Sequence, residues 1–220
     1  MTAIELISDD IPLLKTSDSG KVALMWMNEF HVKHLPIVNN EQLLGVVSEE
    51  DVLNMGEVEE PIGSYRLSYF RPYVNENEHV FNVLKTLAEM KLTIVPVVNS
   101  EETYLGVISL DSLLQRFSNL AALSEPGAII SLELSVRDYS LSEIARIAES
   151  SDARVLSLFT SSHTDSSKME VTIKFNRDDI AGIVAAFERF GYKVMAFRHE
   201  SEDKEFFKDR YDALMNYLNM

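Results

Sequence analysis

The run Leu35-Pro36-Ile37-Val38-Asn39, followed by Gly45-Val46-Val47-Ser48-Glu49-Glu50-Asp51, decides the fold because it occurs twice. Val95-Pro96-Val97-Val98-Asn99 repeats the first part at an offset of 60 (95 minus 35), and Gly106-Val107-Ile108-Ser109 repeats the second at 61 (106 minus 45). One residue has entered the loop between them. The offset of 60 also lays Ala23, Leu24, Met27 and Phe30 over Val83, Leu84, Leu87 and Met90, apolar at i, i+1, i+4 and i+7. That spacing is one face of an amphipathic helix. Each unit reads as a helix, a β run starting at the proline, a polar turn, a second β run opened by glycine, and a closing helix starting near Glu49 or Leu110. A unit of about 50 residues is too small to bury both faces of its sheet, so the copies are expected to pack as one domain.

Composition narrows the partners. The chain has 220 residues, no cysteine, 46% hydrophobic and 25% charged residues, with apolar mass for one large core or two small ones. Acidic residues outnumber basic ones 35 to 20, a net charge of −15 whose field opposes nucleic acid. The start, MTAIELISDD, has no basic n-region and no long apolar h-region, and no stretch approaches the roughly 18 apolar residues that span a bilayer. A cytoplasmic protein without membrane or nucleic-acid partners is expected. The missing cysteines exclude thiol catalysis and thiolate zinc sites.

The duplicated motif resembles a tandem pair of cystathionine-β-synthase (CBS) domains, the Bateman module. The hallmarks are a hydrophobic-Pro-hydrophobic strand and a second strand ending in Gly-h-h-[Ser/Thr]-x-x-Asp at a helix start, matched fully by Gly45 to Asp51 and covering roughly residues 4–118. The resemblance implies a cleft for an adenosine compound such as AMP, ADP, ATP or S-adenosylmethionine. Ser48 would lie near phosphate, Asp51 would accept hydrogen bonds from the ribose hydroxyls, and Leu35, Pro36 and Val47 would flank the adenine. A helix start attracts anions, and an ionised carboxylate suits a diol. The same Ser-x-x-Asp is also a helix-capping box. In the second copy Pro96 and Ser109 are kept, but Ser112 stands where Asp51 stands and the carboxylate moves to Asp111. One residue along a helix is about 100°, so Asp111 points elsewhere and this second site is read as degenerate.

His34, aligned with Ile94, is a further candidate, because some CBS domains place a basic residue there against phosphate. The run His31-Val32-Lys33-His34 also reads as cations at a helix C-terminus. As a metal site the two histidines lack a third ligand, so no metal is expected. Between the copies, Tyr65, Arg66 or Arg71 could reach a ligand; the alternative is packed aromatics with the arginines neutralising Glu57, Glu59 and Glu60.

Glu125-Pro126-Gly127 breaks the pattern. Ile130, Leu132, Leu134 and Val136 alternate as a strand, and Ser140-Leu141-Ser142-Glu143 is a capping box before a helix. A strand over 153–160, a polar loop carrying His163 and a strand over 169–175 form a hairpin. Asn176 is expected to open a helix with Ile180, Ile183, Val184, Phe187 and Phe190 inward, Gly191 to end it, and 192–198 to form the last strand. The order βαββαβ is the ferredoxin-like split unit. Its place after a CBS pair resembles an ACT domain. Arg137-Asp138-Tyr139-Ser140 replaces the glycine or asparagine of amino-acid-binding members, which favours dimerisation. Residues 201–220 put Phe207, Tyr211, Leu214 and Leu218 on one face of a terminal amphipathic helix.

The expected fold is α/β and α+β: CBS repeats at 1–60 and 61–122, an ACT-like domain at 127–200 and a C-terminal helix at 201–220. The architecture resembles the acetoin-utilisation (AcuB-like) CBS proteins. It implies a non-catalytic, homodimeric sensor for an adenosine-containing ligand, with no covalent cofactor, that signals to an unidentified regulated protein or to its own ACT-like half. A structural dimerisation protein with vestigial clefts is the alternative. No nucleophile, base and orienter form a catalytic set.

Overall fold

In the computed structural model, which describes residues 1–8, 10–65, 71–162 and 167–198, the first repeat folds as α1 (Gly20–Glu29), β1 (His34–Asn39), β2 (Gln42–Ser48) and α2 (Glu49–Leu53). The second folds as β3 (Val74–Asn75), α3 (Val80–Met90), β4 (Ile94–Val98), β5 (Tyr104–Ser109) and α4 (Leu110–Leu120). The long helices start 60 residues apart (80 minus 20) and the closing helices 61 (110 minus 49), as the repeat requires.

Both hairpins are antiparallel, with a bulge at equivalent points, Ile37/Val38 and Val97/Val98. Val74 pairs in parallel with Val97, and 60 residues earlier Leu14 makes an isolated parallel bridge to Ile37. Helix α1 buries Ala23 and Met27 and α3 buries Val83 and Leu87, the positions selected by periodicity.

The lead-in segments are exchanged between copies. Ala3 and Leu6, 0% and 1% exposed, lie in the second copy's core with Val80, Val83, Leu87 and Leu113. Ile62, 1% exposed, lies in the first copy's core with Ala23, Leu35 and Val52. Backbone bonds follow the same symmetry: Ala3 N–H to Glu78 carbonyl (2.9 Å) and Ile62 N–H to Asp18 carbonyl (2.9 Å). Ser8 N–H reaches the Val107 carbonyl at 2.8 Å, which brings Ile7 against Gly106. At Gly106, with φ +153°, an added Cβ would meet Ile7 Cγ2 at 2.5 Å. Gly106, expected to open the strand but lying third in β5, is therefore the seat of the N-terminal segment.

The chain divides into two compact units, Met1–Phe117 and Ser118–Met220. The second holds β6 (Ile129–Ser135), α5 (Leu141–Ser150), β7 (Val155–Ser162), β8 (Lys168–Phe175), α6 (Ala181–Arg189) and β9 (Lys193–Arg198). The sheet order is β7-β8-β6-β9 with every pairing antiparallel, which is the ferredoxin-like arrangement. Both helices pack on one core of Ile130, Leu132, Ile144, Ile147, Ile173, Phe175, Ile183 and Phe187. Gly127 (φ +149°) precedes β6 where a Cβ would fall on the Phe175 carbonyl.

Three expectations for this unit change. Helix α6 begins at Ala181 rather than Asn176, because the Asn176 carboxamide oxygen accepts Arg154 N–H (2.7 Å) and ties the residue to the approach to β7. Phe190 turns outward, 41% exposed, beneath the Arg146 and Arg189 guanidinium groups at 5.0 and 5.7 Å. Ser140 caps Glu143 N–H (3.3 Å), but the Glu143 carboxylate accepts from Tyr192 Oη (3.1 Å). The hairpin loop residue His163 and the helix expected at 201–220 lie outside the described residues.

Candidate functional site

The end of β2 delivers Ser48 to the start of α2, a position fixed by the His34–Ser48 register and by the Glu49 N–H bond to the Lys33 carbonyl (2.9 Å). There the capping box forms in full. Asp51 Oδ2 accepts the Ser48 N–H at 3.0 Å and the Ser48 hydroxyl at 2.7 Å, and Ser48 Oγ accepts the Asp51 N–H at 3.0 Å. The box holds the half-buried Asp51 carboxylate in place at the start of α2.

The second copy makes a neutral version. Ser112 N–H and the Ser109 and Ser112 hydroxyls form a closed set: Ser112 N–H to Ser109 Oγ (3.1 Å), Ser109 Oγ to Ser112 Oγ (3.0 Å), and Ser112 Oγ to the Ser109 carbonyl (3.1 Å). Asp111 is exposed and makes no part of this set.

His34 sits where the copies meet. Thr93 N–H donates to Nδ1 at 3.2 Å, which makes that nitrogen an acceptor, and the Thr93 hydroxyl lies 3.0 Å from it. That hydroxyl accepts Lys33 N–H at 2.9 Å, leaving its own proton for Nδ1. The imidazole is 6% exposed, and burial pushes its pKa below the ordinary value, outweighing the attraction of Asp51. His34 thus links the first copy to Thr93 of the second.

The residues expected around adenine lie on β1 and β2. Leu35 and Val47 are 0% and 1% exposed inside the first core, and Pro36 is buried beside them. Pro96 is buried in the same way. Arg71 pairs with Glu102 (2.8 Å) rather than with the 57–60 acids; Glu59 is met by Lys21 (2.9 Å) and Glu60 by the Tyr65 hydroxyl (2.7 Å). Arg66, within residues 66–70, lies outside the described residues.

At the second copy's motif the fold opens a cavity of about 300 Å³. Ser8, Asp10 and Ile11 form one wall, Phe30 to Val32 another, and Thr93 with Ser109 to Ser112 the third. The first three positions were not legible because they reach the site through the exchanged lead-in. In the other unit a cavity of about 450 Å³ lies at the β6–α5 turn, beside Glu133, Ser135, Asp138, Lys168 and Tyr192. Lys168 and Lys193 donate to Glu133 at 2.8 and 3.0 Å and hold its carboxyl below the usual range. Burial and the bond to Glu143 push the Tyr192 hydroxyl up to about 12. Among the described residues no three His, Asp or Glu side chains gather as a metal site, and no helix is long and apolar enough to cross a membrane.

Residues 4–56 and 70–119 each match the CBS domain family. The first 119 residues therefore carry a tandem pair of CBS domains. Among solved structures, the chain is similar to a CBS domain pair/ACT domain protein from Thermotoga maritima, with 21% sequence identity, 54% of this chain and 98% of that one covered, and a TM-score of 0.49. It is also similar to CBSX2 in complex with AMP (20% identity, 54% and 96% covered, TM-score 0.46). A third is the CBS domain of a bacterial CNNM/CorC family Mg2+ transporter in complex with ATP (16% identity, 52% and 85% covered, TM-score 0.44).

Proposed function

We propose that this protein is a non-catalytic, cytoplasmic regulatory module that binds an adenosine-containing ligand in the CBS cleft and relays occupancy to a partner protein or to its own ferredoxin-like, ACT-like half. The observation that carries this reading is the first copy's intact motif, in which Ser48 holds the half-buried Asp51 carboxylate at the start of α2. A positioned acceptor-only group suits the two hydroxyls of a ribose. In this reading the CBS repeats are residues 1–60 and 61–122, the ACT-like domain is 127–200, the protein works as a homodimer, and its kinship lies with the acetoin-utilisation proteins.

A thermal-shift panel of AMP, ADP, ATP and S-adenosylmethionine on the full chain tests it. At about 100 times the dissociation constant a ligand adds about 2.7 kcal/mol. On a scale of roughly 2–4 °C per kcal/mol that is a shift of several degrees. No shift with any of the four at millimolar concentration would leave a dimerisation protein with vestigial clefts as the better reading. The neutral serine set of the second copy favours that alternative.

A further inference from the structure

The sheet of the second unit has one face packed on its helices and one turned away from them. Ile130, Leu132, Ile173 and Phe175 point into the core with α5 and α6. Their neighbours Ile129, Ser131, Glu133, Glu170, Thr172 and Lys174 therefore lie on the other face. Register carries a row across that face, with Phe159 of β7 opposite Thr172, and Thr172 opposite Ser131. The two hydroxyls lie 3.3 Å apart. On the far outer strand Val194 packs against the core, so Met195 beside it turns to the same face as Ser131. Phe159 and Met195 are 42% and 52% exposed. The result is a shallow trough, two short side chains between apolar rims. Three strand spacings set those rims about 14 Å apart, wide enough for one helix of about 10 Å diameter. The trough is acidic on one side. Glu133 is met by Lys168 and Lys193, whereas Glu170 opposite it has no ion-pair partner among the described residues.

The course of the chain supplies the occupant. Strand β9 ends at Arg198, which pairs with Ile129 at one end of this face. The three steps from 198 to 201 span about 10 Å at most, so a helix starting at 201 begins close to the trough. Its stripe of Phe207, Tyr211, Leu214 and Leu218 is bordered on one side by Lys204 and Lys208. A helix over 201–220 would measure about 30 Å, against about 27 Å for the eight residues of β8. Such a helix draws most of its stability from burying its apolar stripe. A second copy fits less well, because it would add acidic face to acidic face in chains that each carry −15.

We propose that residues 201–220 form a helix that docks on the open face of their own chain's sheet. The apolar stripe fills the trough between Phe159 and Met195, and Lys204 and Lys208 face Glu170. This interaction surface is separate from the CBS clefts and does not depend on the adenosine reading.

The chain has no cysteine, so engineered pairs report proximity without background. Thr172→Cys is combined in turn with Phe207→Cys, Tyr211→Cys and Leu214→Cys in the full chain. Each protein is oxidised at micromolar concentration and read by non-reducing electrophoresis and peptide mass spectrometry. A disulfide needs Cα atoms within about 7 Å. At least one Thr172 pair is expected to close within the chain. The same three cysteines paired with Glu149→Cys, at an exposed position of α5 across the sheet, are expected to stay open. Disulfides joining two chains would give the face to a second copy and overturn the assignment. No closure, or equal closure with Glu149→Cys, would overturn it too. Urea unfolding gives a second reading that needs no cysteine. Met195→Asp and Leu214→Asp should each lower the midpoint, and together by less than the two shifts added, because they break one contact. Additive shifts would overturn the docking.

Discussion

At Asp51 one carboxylate oxygen accepts both the N–H and the hydroxyl of Ser48, while its backbone N–H returns a bond to Ser48, so substitution can separate capping from ligand binding. Asp51→Asn keeps an acceptor for the cap but loses the charge. We expect a ten- to hundred-fold loss of AMP affinity by calorimetry, roughly 1.5–3 kcal/mol for charge-assisted hydrogen bonds, with little change in melting temperature. Asp51→Ala should add about 1 kcal/mol of instability from the lost cap. An Asp51→Asn protein that binds as wild type would place the ligand elsewhere. His34 gives a pH signature. Its folded pKa lies below the unfolded value near 6.5, so the unfolded chain takes up the proton first. The linked stability is complete above about pH 6.5 and declines as pH falls below it. Thermal melts from pH 7.5 to 5.5 should show a decline that His34→Asn, whose carbonyl can still accept Thr93 N–H, makes shallower. Equal slopes would remove His34 from that balance. The motif residues were legible in sequence because their spacing repeats. The Thr93 link to His34 was not, since it joins side chains 59 residues apart through the meeting of the copies.

In the two repeats the elements follow the sequence where an apolar period recurs. The strands around Pro36 and Pro96 and the helix starts at Glu49 and Leu110 fall where the repeat places them. The 3-10 turns at Ala3–Leu6 and Ile62–Ser64 are too short to show a period in the sequence, and their buried residues serve the opposite copy. The start of α6 departs from the sequence expectation for a related reason. An asparagine side chain can cap a helix or close a neighbouring strand end, and only the approach of Arg154 decides between them. Two glycines make this scale testable. Gly106→Ala adds a methyl against Ile7 at a positive φ and should cost about 1–3 kcal/mol in urea unfolding. Trimming Ile7 to alanine in the same chain should restore part of that loss, and no rescue would mean that backbone conformation alone is responsible. Gly127→Ala faces the Phe175 backbone, which cannot step aside, so no second-site trimming is expected to rescue it.

For the whole molecule, a net charge of −15 keeps copies apart at low salt, so association must come from apolar contact. Light scattering should give about twice the 24.9 kDa chain mass at physiological salt, and a monomer at micromolar concentration would refute the proposed homodimer. The exchanged lead-ins bear on how the chain comes to be folded during synthesis. A nascent chain that has delivered only its first 60 residues lacks Ile62, and so leaves a gap in the core built by Ala23, Leu35 and Val52. Its earliest residues, Ala3 and Leu6, must wait for Val80 to Leu113 before they are covered. Neither half can therefore close on the ribosome before the other exists. A fragment ending at residue 60 should be cut rapidly by protease, whereas one ending near residue 120 should resist as a single block.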